Sequence, residues 1–165
     1  LPSRSLGSIY YDTFPSPLGI LYIIFMDNAL VGIFFSHDDL FKTIKCVRKG
    51  KMPDSFRQEL MDYFDGRLKE FKQEFILLRG TDFERSVWLA LKDVPYGETR
   101  TYKWLAERVG RPGAVRAVGR SLSKNPIPIV LPCHRIIESD GSIGGYSSGI
   151  EKKRRLLNLE YFNSD

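Results

Sequence analysis

Between Asn125 and Ile137 the chain reads Asn125-Pro126-Ile127-Pro128-Ile129-Val130-Leu131-Pro132-Cys133-His134-Arg135-Ile136-Ile137, with three prolines inside seven residues. Each proline fixes its own φ, lacks a backbone N–H and pushes the residue before it toward extended backbone. A helix cannot form here. Most of the remaining residues are apolar, so burial is expected. A stiff, buried segment is a good mount for one reactive side chain, and this one delivers a cysteine followed by a histidine and an arginine. Cys133 is expected to be buried beside a pocket.

The residues around the segment divide the chain in two. Ile9 to Phe14, Ile20 to Phe25 and Leu30 to Phe35 are rich in Ile, Tyr, Phe and Val and predict three short strands. Pro15-Ser16-Pro17-Leu18-Gly19 and Asp27-Asn28 supply the turns of an antiparallel meander. A helix is predicted from Asp54 to Tyr63, ended by Asp65-Gly66, and a fourth strand over Phe75 to Leu78. Arg79-Gly80 reads as the boundary between a domain over 1–79 and another over 80–165.

The second domain reads as mostly helical. Thr81-Asp82-Phe83-Glu84 fits a capping box, and Val87, Leu91 and Val94 then recur on one helix side up to Pro95-Tyr96-Gly97. Helices follow from about Thr101 to Val109 and from Pro112-Gly113 to about Lys124. Two short helices joined by a Gly/Pro turn, the second rich in Ala, Gly and Ser, suggest a helix-turn-helix. Glu138 to Gly141 reads as a turn, Gly144 to Gly149 as a flexible loop, and Ile150 to Leu159 as a last helix.

The bulk numbers narrow the function classes. With 165 residues, 42% hydrophobic and 27% charged, the chain suits a packed α+β protein. No apolar run approaches the roughly 20 residues that span a bilayer. Leu1-Pro2-Ser3-Arg4 has no targeting pattern. A soluble intracellular protein without membrane attachment is expected. The two cysteines, Cys46 and Cys133, and the two histidines, His37 and His134, show no zinc spacing, so reduced thiols and no metal are expected. Net charge is +5, and seven basic residues stand against one acid between Arg100 and Lys124. That local excess fits a polyanion partner or, equally, a solvated helix face.

A free thiol has a pKa of about 8.5, so attack on carbon near neutral pH needs a base or a positive environment. His134 adjoins Cys133, but neighbours in an extended segment point to opposite faces. Activation of Cys133 by His134 then runs through a water, with a carboxylate behind the imidazole. Composition does not say which carboxylate.

Pro132-Cys133-His134-Arg135-Ile136 resembles the signature of the O6-alkylguanine-DNA alkyltransferases. Val94-Pro95-Tyr96-Gly97-Glu98, Thr101-Tyr102, Arg116-Ala117-Val118-Gly119, Asn125-Pro126-Ile127-Pro128 and Gly144-Gly145-Tyr146-Ser147 are similar to that family too, in order and at its spacing. The likeness covers about Gly80 to Glu160. It implies a ribonuclease-H-like N-terminal domain and a winged-helix-like C-terminal one.

The resemblance also implies direct reversal of DNA damage, with an alkyl group moved once from guanine O6 to Cys133 after nucleotide flipping. Cys133 resembles the acceptor, His134 the base acting through water, and Glu160 the carboxylate that orients it. Asn125 resembles the residue that ties the cysteine segment to the helix-turn-helix. Tyr102 resembles the tyrosine that crowds the phosphate, and Arg116 the side chain that fills the vacated stack. Ala114, Ala117, Gly119 and Ser121 make the small face that lies in the minor groove. Tyr146 and Ser147 resemble pocket lining, and the carbonyls of Cys133 and Ile136 would accept from the guanine amine.

The implied partner is double-stranded DNA containing O6-alkylguanine. The implied protein is a free monomer that needs no cofactor and works in the cytoplasm, or in the nucleus of a eukaryote. Some members hold zinc near the N-terminus; here His37 and Cys46 are the only candidate ligands. Without the resemblance, Glu160 reads as solvent-facing, Asn125 as a helix stop, Tyr102 as packing, Arg116 as one base among seven, and Tyr146 and Ser147 as loop. Cys46 reads as incidental. A lesion sensor or a sequence-specific regulator is the competing class; a Cys-His hydrolase is disfavoured by the adjacency of the pair.

Overall fold

The structure is a computed structural model that describes residues 8–164. Leu1 to Arg4, read above for a targeting pattern, lie outside them. The chain forms two compact units that divide between Leu78 and Arg79.

In the first unit β1 (Ile9–Ser16), β2 (Gly19–Met26) and β3 (Ala29–Phe34) form the antiparallel meander. Gly19 turns the first hairpin at φ 102°, and Asp27 turns the second at φ 53°. The central strand β2 is almost wholly apolar because both its faces are covered. Ile24 packs with Val31, Leu40 and Val47 beneath α1 (His37–Thr43). On the other face Phe25 meets Phe56 of α2 (Asp54–Phe64), with ring centroids 5.6 Å apart. Buried Asp12 ties β1 to α2: it accepts from Met52 N–H at 2.9 Å and from the Arg57 guanidinium at 2.9 Å.

Three features differ from the sequence expectation. The sheet is mixed, because a two-residue strand β4 (Arg48–Lys49) pairs parallel to β1. Helix α1 was not predicted; it is only two turns long, too short for a periodicity signal, and is announced by Ser36, whose hydroxyl accepts from Asp39 N–H. Phe75 to Leu78 is no full strand: Phe75 makes one parallel bridge to Leu30. Cys46 is exposed, at φ 82°.

The second unit begins with the predicted capping box. Thr81 Oγ accepts from Glu84 N–H at 3.1 Å, and Glu84 accepts from Thr81 N–H at 2.9 Å. It starts α3 (Asp82–Ala90), which tightens into a 3₁₀ turn over Leu91–Asp93. Gly80 must be glycine: its φ is 112°, and a Cβ there would sit 2.5 Å from the Trp88 ring. Trp88 is buried and donates its indole N–H to the Ser121 carbonyl at 2.7 Å, joining α3 to α5 (Val115–Ser123).

Strand β5 (Arg100–Thr101) leads directly into α4 (Tyr102–Arg108). It pairs parallel with β6 (Ile136–Ile137), Thr101 opposite Ile137. That pairing brings the first residue of α4 beside the chain that has just left Cys133. The last helix, α6 (Ile150–Phe162), runs three residues past the predicted end and carries Glu160 within it.

Candidate active site

Asn125 organises the proline-rich segment. Its amide N–H donates to the Leu131 carbonyl at 2.8 Å, and its side-chain oxygen accepts from Ile127 N–H at 3.0 Å. One side chain thus closes a loop of backbone that the prolines keep out of regular structure. Inside it Ile129 is held at φ 78°, a conformation that costs a β-branched residue on the order of 1–3 kcal/mol. Burial of Ile127, Ile129 and Leu131 offsets that cost.

The segment ends in a 3₁₀ turn over Cys133–Arg135, not in the extended backbone expected from the sequence. Burial explains the change. The turn places Cys133, His134 and Arg135 all inside the unit, at 7%, 0% and 7% exposure, where an extended strand would have sent alternate residues outward.

His134 Nε2 lies 2.7 Å from Glu160 Oε2. Burial comes first among the influences on Glu160 and pushes its pKa up, but the His134 and Arg135 contacts outweigh it and hold the carboxyl far below the usual range. Glu160 is therefore an acceptor, and Nε2 carries the ring proton. Nδ1 is buried with no hydrogen-bond partner among the described residues. Burial lowers the His134 pKa, and the charges of Arg135 and Lys153 add to that, against the pull of Glu160. The ring rests neutral, with a basic lone pair on Nδ1.

Two side chains that the sequence reading left without a role complete the site. Arg135 Nε donates to Glu160 Oε1 at 2.8 Å, Nη2 to Oε2 at 3.0 Å, and Nη1 to the Val94 carbonyl at 2.7 Å. Its guanidinium also lies over the Tyr96 ring, 5.6 Å from the centroid. Lys153 is wholly buried and donates to the Ile136 carbonyl at 2.6 Å and the Gly145 carbonyl at 3.1 Å. It bolts the chain beyond Cys133 to the loop before α6. Desolvation lowers its pKa to about 8. Lys153 was concealed in the run Lys152-Lys153-Arg154-Arg155; its spacing to Leu156 and Glu160 puts all three on one helix face.

The Cys133 pKa is raised, chiefly by burial, while Asn125, Tyr146 and Lys153 favour the thiolate. The resting group is a thiol that must surrender its proton as it reacts. It opens on a cleft of about 310 Å³, lined also by Tyr102, Gly119, Leu122, Ser123, Gly145, Tyr146 and Ser147. The predicted residues Cys133, Tyr102, Gly119, Tyr146 and Ser147 therefore meet at one cavity. Of the other assigned residues, Arg116 on α5 is exposed, Ala117 on α5 is half-buried, and so is Ala114, which caps the start of that helix.

One assignment is corrected by the geometry. Ser121 cannot belong to an outward face: it is 3% exposed and its hydroxyl bonds back to the Ala117 carbonyl at 2.9 Å. The Ile136 side chain does not line the cleft; its carbonyl, assigned above to the guanine amine, accepts from Lys153 through one of its two lone pairs.

Residues 82–162 match the model of the 6-O-methylguanine DNA methyltransferase DNA-binding domain, and residues 9–77 match that of the ribonuclease-like domain of the same proteins. The chain belongs to the 6-O-methylguanine DNA methyltransferase family. Among its relatives is the methylated-DNA–protein-cysteine methyltransferase of Methanosarcina barkeri, 41% identical over 94% of this chain and 99% of that one. The Mycolicibacterium paratuberculosis protein of the same name is 43% identical over 92% of each chain.

Solved members share the α+β fold. Mycobacterium tuberculosis OGT in complex with DNA aligns with a TM-score of 0.85 at 40% identity, over 93% of this chain and 94% of that one. The O6-methylguanine-DNA methyltransferase of Pyrococcus kodakaraensis aligns with a TM-score of 0.68 at 30% identity, over 92% and 98%. As a family member the chain is a methyltransferase of direct-reversal DNA repair. Among the described residues no helix is long and apolar enough to cross a membrane.

Proposed function

We propose that this protein binds duplex DNA, extrudes an O6-alkylguanine nucleotide and transfers the alkyl group to Cys133 in a single turnover. The observation that carries this reading is the relay behind the sulfur: Cys133 at the cleft, and His134 beside it, fixed through Nε2 to Glu160 at 2.7 Å with Nδ1 left basic.

The chemistry is a one-step displacement. A water carries the thiol proton to His134 Nδ1 as sulfur attacks the alkyl carbon. The S–C bond forms while the C–O6 bond breaks, and its electron pair stays with the guanine. The imidazolium, stabilised by Glu160, then gives the proton up through water to the guanine anion, leaving neutral guanine and a thioether. Among the described residues no activated second nucleophile stands at the cleft to cleave the thioether, so each molecule acts once.

The DNA-facing roles follow the family pattern. Exposed Arg116 enters the stack in place of the flipped nucleotide and offsets part of the few kcal/mol that extrusion costs. Ala114, Ala117 and Gly119 permit close approach to a minor groove, which carries little sequence code and suits lesion search in any context. Tyr102 turns the phosphate, and Tyr146 and Ser147 wall the guanine. The protein acts as a monomer and works where the DNA is, in the cytoplasm or in a nucleus.

Incubation with an O6-methylguanine duplex should add one methyl, found by mass spectrometry on the peptide containing Cys133. Cys133→Ala should bind the duplex and transfer nothing. A methyl on Cys46, or none at all, would overturn the reading, and multiple turnovers on an ester would mark a hydrolase instead.

A further inference from the structure

Glu138 opens a tight turn, with its carbonyl accepting from Gly141 N–H at 3.0 Å and its N–H donating to the Ser142 carbonyl at 3.0 Å. Its side chain is exposed and reaches toward Gly144. A Cβ on Gly144 would lie 3.4 Å from Glu138 Oε2 and 3.1 Å from the Tyr102 hydroxyl. The carboxylate and the phenol therefore flank the same glycine, next to Gly145 and Tyr146 of the cleft wall. No hydrogen bond or ion pair engages the Glu138 carboxylate among the described residues.

The residues that line the cleft carry no formal charge while Cys133 is a thiol. Lys153 and Glu138 are charges that stand close behind the Gly145–Tyr146 wall. Lys153 stands behind the wall with its ammonium committed to two carbonyls. Glu138 stands at the rim, and Tyr102 and Lys153 both feel it. An O6 substituent held at Cys133 beside Tyr102 enters the field of that carboxylate across the cleft, where one charge is only partly screened.

We propose that Glu138 is a specificity-determining residue for the transfer: it disfavours O6 substituents that end in an anion relative to neutral ones of similar size. This rests on the reading of Cys133 as acceptor given above.

The experiment measures single-turnover transfer to Cys133 from three duplexes that differ only in the lesion: O6-methyl-, O6-(2-hydroxyethyl)- and O6-carboxymethylguanine. Within each protein the carboxymethyl rate is divided by the hydroxyethyl rate, which cancels any general change in DNA affinity. Glu138→Gln should raise that ratio about three- to tenfold, the scale of one partly screened charge. Glu138→Lys should raise it further, and 0.5 M salt should contract both shifts. A ratio unchanged in both variants, even with all rates higher, would overturn the proposal and leave Glu138 as a general repeller of phosphate. Absence of transfer from the methyl duplex by the unaltered protein would instead refute the acceptor reading.

Discussion

Arg135 shows what one buried side chain contributes here. It donates to both oxygens of Glu160 and, from Nη1, to the Val94 carbonyl, which fixes the carboxylate's orientation and favours its ionised form. Arg135→Lys keeps the charge and loses the planar fork. Transfer should slow at least tenfold in single-turnover assays while duplex affinity stays within about twofold, separating a positioning role from binding. Glu160→Gln leaves Arg135 charged and uncompensated. It should lose about 3–5 kcal/mol of stability in denaturant titration, as removal of one partner from a buried ion pair does, and it should slow transfer more than Arg135→Lys. Cys133 and His134 stood out in the sequence because they sit in an ordered set of motifs, and Glu160 only by its similarity of position to the family's glutamate; the fold brings Glu160 to 2.7 Å from His134. The parts played by Arg135, which lies in the same motif, and by Lys153 were not legible, because a charged residue in a sequence does not announce its own burial.

Among the elements, α5 was the easiest to foresee and the easiest to misassign. Its small residues predicted close approach, yet only Gly119 of the set lines the cleft, while Ser121 turns inward beneath Trp88. Spacing in the sequence gives a helix its faces; it does not say which face the neighbours cover. No heavy atom outside its immediate surroundings lies within 4 Å of a Cβ added at Gly119. Gly119→Ala should therefore stabilise the protein by about 0.5–1 kcal/mol, the helix-propensity difference, as read by thermal melting. Gly119→Phe should narrow the cleft and lower transfer from bulky O6 groups more than from methyl. The proline-rich segment shows the other limit. Its prolines excluded a helix correctly, but the final 3₁₀ turn depends on burying three consecutive polar or reactive side chains, a demand set by the finished unit.

For the whole molecule, acidity is the informative variable. In the unfolded chain His134 takes up a proton near its ordinary pKa of 6.5, and Glu160 near 4.5; in the fold both values are lowered. The unfolded state thus holds more protons across this range, and stability is lost as pH falls below about 6.5 toward the folded-state values. Both tryptophans, Trp88 and Trp104, lie in the second unit, so their fluorescence follows that unit alone. The urea midpoint by fluorescence should fall steadily between pH 7 and 4. A flat midpoint would show that His134 accepts its proton without unfolding. The sulfur and the imidazole are chain neighbours, but the carboxylate that completes the relay arrives 26 residues after the histidine, on α6. During synthesis the acceptor leaves the ribosome before the group that arms it. The route for the thiol proton is therefore complete only once α6 has packed against the histidine, so single-turnover competence follows the docking of that helix.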